Sequence, residues 1–99
     1  MEQYRNIFIA DQRLVILRTL SAAPGYRAND SILDDVLGQF SHHISRDQVR
    51  THVRWLEEQG LVTVEPLGLT LNAKITQRGI DVANGESIVD GVKRPSPGA

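Results

Sequence analysis

At 99 residues, 40% hydrophobic and 23% charged, the chain has material for one hydrophobic core and too much apolar content for wholesale disorder. It has no cysteine, which excludes disulfides and thiolate metal sites and points to a reducing compartment. Its formal net charge of -1 lacks the basic excess typical of a dedicated nucleic-acid binder, and its longest apolar runs are too short to span a bilayer, so a cytoplasmic location without a membrane partner is expected.

Taken in chain order, Glu2 to Ala22 carries Tyr4, Ile7, Phe8, Leu14, Leu17 and Leu20 mostly three or four residues apart, the period of an amphipathic helix. Ile9, Val15 and Ile16 lie off that stripe, and a surplus apolar face of this kind predicts self-association through the helix as a homodimer. Pro24-Gly25 breaks it. Asn29 is placed to cap a second helix, Asp30 to about Phe40, with Ile32, Leu33, Val36, Leu37 and Phe40 as its apolar positions. After a Ser41-His42-His43-Ile44 turn, Ser45 caps a third helix that reaches Gln59, with Val49, Val53 and Leu56 repeating at helical spacing.

Gly60 closes that helix, and two strand-like runs follow, Leu61 to Glu65 and Leu69 to Ile75, joined by a turn at Pro66-Leu67-Gly68. Thr76 caps a short helix from Gln77 to about Ala83, stopped by Asn84-Gly85. A domain over 1–88 is therefore expected, followed by a flexible, extended tail over 89–99 with two prolines, two glycines and little to bury.

Three helices, a two-stranded hairpin and a short closing helix on one core predict a mainly α winged-helix fold. Ile44-Ser45-Arg46-Asp47-Gln48-Val49 through Trp55-Leu56-Glu57-Glu58-Gln59-Gly60-Leu61-Val62 resembles the recognition helix and first wing strand of ArsR-like and MarR-like regulators. Ile75-Thr76-Gln77-Arg78-Gly79 with Ala83 resembles the motif that closes their wing. The spacing is similar, more narrowly, to small winged-helix proteins of Mu-like prophages. The resemblance implies double-stranded DNA binding by a dimeric phage or bacterial transcription regulator, with the third helix in the major groove and no enzymatic activity or cofactor.

With Val49, Val53 and Leu56 inward, 100° per residue turns Asp47, Arg50, Thr51 and Arg54 outward and sets Arg46 and Gln48 on the flanks. Arg46, Gln48, Arg50, Thr51 and Arg54 are therefore the candidate DNA-binding residues, and the arginine row at i, i+4, i+8 would gain from an anionic partner. Local acids oppose this: Asp47 is within reach of Arg50, Glu57 or Glu58 of Arg54, and Asp30, Asp34 and Asp35 would repel phosphate if they shared that face. The turn Pro66-Leu67-Gly68-Leu69 is uncharged, and Lys74 is the only base in the two strands. An apolar tip, Trp55 at the helix edge and the tail suit a protein partner from phage or host, so an adaptor in phage assembly or packaging is the alternative. His42 and His43 read as polar turn residues and His52 as a helix-flank residue, not as metal ligands, and no nucleophile elbow or phosphate loop is present.

Overall fold

The helix ends form where the capping residues stand. Asn29 Oδ1 accepts from the Ile32 N–H at 2.9 Å to start α2 (Asp30–Gln39), and Ser45 Oγ accepts from the Gln48 N–H at 3.1 Å to start α3 (Arg46–Glu58). Thr76 Oγ1 does the same for the Gly79 N–H at 3.1 Å ahead of α4 (Gln77–Ala83). The first helix, α1 (Glu2–Ala22), stops before Pro24, which opens a single 3-10 turn. In this computed structural model, which describes residues 2–96, these four helices and one antiparallel sheet form a small α+β domain.

The sheet has three strands, one more than the sequence suggested. β1 (Arg27–Asn29), β2 (Val62–Leu67) and β3 (Thr70–Ile75) are ordered β1-β3-β2, with Ala28 opposite Ala73 on one side of β3 and Val64 opposite it on the other. β1 is too short to show a period of its own, and it exists because β3 offers it a free edge. The β2–β3 hairpin is also longer and its turn tighter than expected: pairing continues to Leu67 opposite Thr70, leaving a two-residue turn, Gly68-Leu69. Gly68 has φ of 60°, which a residue without a Cβ adopts freely. Pro66 sits within β2 because β2 is an edge strand, where a missing N–H breaks no ladder.

The core gathers Ile16, Leu17 and Leu20 of α1, Leu33 and Leu37 of α2, Val49, Val53 and Leu56 of α3, and Leu61 and Ala73 around the sheet, all fully buried. α1 packs against α2, α4 and β3 together, so it buries more than one face. That overturns the expected association surface: Val15 and Ile16 are core residues and Ile9 is half-buried. Exposure falls instead on Tyr4, Ile7 and Phe8 in the first turns, and on Ile32 and Phe40 of the second helix region, which the sequence had assigned to the buried stripe.

The closing motif has a mechanical reason. Thr76 Oγ1 donates to the Gly60 carbonyl at 2.8 Å and Arg78 Nε to the Gln59 carbonyl at 3.2 Å, so the start of α4 is sewn onto the end of α3. At Gly79 a Cβ would run into the Leu61 carbonyl and Ile75, so only glycine allows that approach.

The chain after α4 is not a free tail. Val89 and Val92 are buried in the core cluster, the Lys93 N–H donates to the Ala10 carbonyl at 3.1 Å, and Arg13 Nη1 donates to the Gly91 carbonyl at 3.2 Å. Two valines suffice to dock this strap on α1 despite its glycines and prolines. Pro97, Gly98 and Ala99, also assigned to the tail, lie outside the described residues.

Candidate interaction site on the third helix

Each candidate arginine on α3 already holds a carboxylate. Arg46 Nε lies 3.4 Å from Asp34 Oδ2, Arg50 Nε 2.5 Å from Asp30 Oδ2, and Arg54 Nη1 3.1 Å from Glu57 Oε1. Only the last of these had been foreseen: Arg50 turns to α2 and not to Asp47, because the cap of α2 brings Asp30 beneath it. Arg50 Nη2 also donates to the Leu69 carbonyl, so a single side chain ties α2, α3 and the hairpin turn together. Thr51 Oγ1 donates back to the Asp47 carbonyl at 3.1 Å, and Gln48 is exposed.

The three pairs differ in kind. Asp30 is fully buried, and its Oδ1 has no hydrogen-bond partner among the described residues. Burial pushes its carboxyl up, but the hydrogen bond and charge of Arg50, with the charge of Arg46, outweigh this and hold it below the ordinary carboxylate value. Arg46–Asp34 and Arg54–Glu57 are solvent-exposed, and pairs of that kind contribute about 0–1 kcal/mol.

Between α3 and the hairpin lies a groove of about 620 Å³ whose walls include Trp55, Leu69 and Leu71, with Asp47 and Glu58 also lining it. Leu69 is 91% exposed at the hairpin turn. Neither Asp47 nor Glu58 forms an ion pair among the described residues, and Lys74, opposite Thr63, is remote from the turn. Trp55 serves two neighbours: one is this groove, and the other is Arg13, whose Cζ lies 3.7 Å from the ring centroid. Gly91 passes so near that a Cβ there would fall 2.9 Å from the indole.

On the flank of α3 that faces α1, the histidines have a role the sequence reading missed. Arg13 Nε donates to His52 Nδ1 at 3.3 Å, which fixes the neutral tautomer with a proton on Nε2; that proton goes to Gln12 Oε1 at 2.8 Å. Gln12 Nε2 then faces His42 Nδ1 at 3.5 Å, and His42 Nε2 donates to Asp11 Oδ2 at 2.7 Å. His42 stands in the turn before α3 and His52 on a flank of α3, but both are buried, while His43 is exposed. Burial, then the charges of Arg13 and His42, lower the His52 pKa from 6.5 to about 4. One signal was available: His52 follows Val49 by three residues and precedes Leu56 by four, the spacing of the buried face. Among the described residues no cluster of three or more His, Asp or Glu could hold a metal ion, and no helix is long and apolar enough to cross a membrane.

No protein-family model matches the chain. The gp26 protein of Escherichia phage Mu is 50% identical over 94 residues, covering 95% of this chain and 97% of gp26. A protein of Haemophilus influenzae is 56% identical over 77 residues, covering 76% of this chain and 74% of its own length. Both are described only as uncharacterized proteins, so no activity passes from them to this chain.

Proposed function

Since the chain belongs to the family of the phage Mu gp26 protein, we propose that it is a winged-helix module of a Mu-like phage that docks protein through α3 and the β2–β3 hairpin, acting as an adaptor in assembly or packaging. The observation that carries this is the pairing of all three α3 arginines with carboxylates beside a groove whose unpaired charges are both acidic. Counting the paired acids with those on the helix, Arg46, Arg50 and Arg54 face Asp30, Asp34, Asp47, Glu57 and Glu58, which is 3 - 5 = -2. A phosphate displacing Asp34 or Glu57 leaves that carboxylate a few ångströms away, where like charges at a protein surface repel by about 4 kcal/mol at 4 Å before salt screening. The order of helices, turn and hairpin, together with the residues that resemble ArsR-like and MarR-like regulators, supports the winged-helix assignment.

Double-stranded DNA binding is the second reading, and it has its own support. Arg46, Gln48, Thr51 and Arg54 are all exposed along α3, and two of the ion pairs are weak enough to rearrange. Arg50 is excluded from that set, because leaving Asp30 would strand a buried charge. In either case a second copy of the chain suits the first turns of α1, where Tyr4, Ile7 and Phe8 are 64%, 61% and 58% exposed.

A photo-crosslinking amino acid at position 69, in the chain expressed from its native locus, tests the proposal. The expected result is a discrete protein adduct that a crosslinker at Arg18, an exposed position of α1 that does not line the groove, does not give. Adducts to DNA alone, or equal adducts at both positions, contradict it.

A further inference from the structure

Resting on the protein-docking proposal above, we infer that the α3–hairpin groove takes an extended segment of about six residues that carries a cation at each end and apolar side chains between. The two unpaired carboxylates that line the groove, Asp47 and Glu58, are eleven residues apart on one helix. Eleven residues are three turns within about 20°, so both carboxylates leave α3 on the same side, separated by about 16 Å of helical rise. An extended chain covers that span in about five steps of roughly 3.3 Å, the distance from the first to the sixth residue.

What lies between the carboxylates requires the middle of such a segment to be apolar and uncharged. Trp55, Leu69, Leu71 and Pro66 present hydrophobic surface there. The two arginines along the same stretch are already neutralised, Arg50 by Asp30 and Arg54 by Glu57, so they offer no attraction to an acidic residue that would outweigh Asp47 and Glu58. Arg50, reaching across to the Leu69 carbonyl, makes the floor and keeps the hairpin from swinging away. That bond ties the hairpin turn to α3, so a segment laid along the groove runs between the two elements and meets Asp47 and Glu58 at its ends. Cations at the two ends meet carboxylates with no internal partner, and a nucleic-acid backbone meets the same carboxylates as repulsion. Charge complementarity therefore selects a basic-apolar-basic peptide.

The test is selection of randomised heptapeptides on the immobilised full chain at low salt, followed by titration of synthetic winners against Trp55 fluorescence. The expected winners carry Lys or Arg five or six positions apart with apolar residues between. Asp47→Asn combined with Glu58→Gln should weaken them at least about tenfold, Asp47→Glu should bind as the parent does, and Leu69→Asp should abolish binding. All three positions are exposed, and unchanged thermal melting verifies that the variants fold. Winners that lack paired cations yet still lose binding on Leu69→Asp overturn the charge pattern and leave the docking proposal standing. Winners indifferent to Leu69→Asp, or none at all, overturn both.

Discussion

The two flanks of α3 use the same ingredients differently. Toward α1, a cation, two imidazoles, an amide and a carboxylate are linked in one hydrogen-bonded chain from Arg13 through His52, Gln12 and His42 to Asp11, with members from α1, the turn before α3, and α3 itself. Toward the hairpin, three arginines hold three acids in separate pairs, only one of which reaches into the interior. The first flank is closed and serves the fold, since a buried polar group is tolerated only when its partners are present. The second is a surface whose charges are largely cancelled and whose remaining features are hydrophobic walls and two free carboxylates. A row of arginines on a helix is therefore not a positive face until the acids packed beneath it are known.

Breaking the one interior pair should have the largest effect. Arg50→Met leaves the Asp30 carboxylate buried and uncompensated, a loss of about 3–5 kcal/mol, or about 15 °C or more in Tm for a domain of this size. Adding Asp30→Asn should recover most of it, and chemical denaturation of the single and double variants measures both. If Arg50→Met melts like the parent, the bridge between α2, α3 and the hairpin is not what holds that face.

The closed flank should respond to pH. The His52 pKa of about 4 lies below its ordinary 6.5, so the unfolded chain takes up a proton there that the native state refuses. This contribution is fully present above pH 6.5 and is lost as pH falls toward 4, amounting at most to about 3 kcal/mol. His52→Gln should flatten the stability profile over that window relative to the parent, and equal slopes would show that His52 is not held neutral. The smallest effect belongs to the exposed pairs: Arg46→Ala and Arg54→Ala should each change stability by less than about 0.5 kcal/mol, measured in the same denaturation series.

The parts of the molecule that were legible in the sequence are those whose cause is local. Asn29, Ser45 and Thr76 announce helix starts within three residues, and Val49, Val53 and Leu56 define the buried stripe of α3 by spacing alone. The misses have causes far along the chain. β1 depends on an edge of β3 more than forty residues later, Ile16 is buried because α1 has neighbours on several sides, and the strap past α4 is fixed by Arg13 and Ala10 near the other end. For the candidate site the same holds: the identity of the exposed residues on α3 was readable, but the Arg50–Asp30 pair spans two helices and no helical periodicity contains it.

The claim that the α3–hairpin face is electrostatically closed to nucleic acid is tested most directly by fluorescence anisotropy with labelled mixed-sequence duplexes at about 50 mM salt. No binding up to about 100 μM protein is predicted, with Arg46→Ala and Arg54→Ala making no difference. Micromolar binding that falls with salt at a log–log slope near -3, the release expected for about three phosphate contacts, and that is lost on Arg46→Ala or Arg54→Ala, would contradict it.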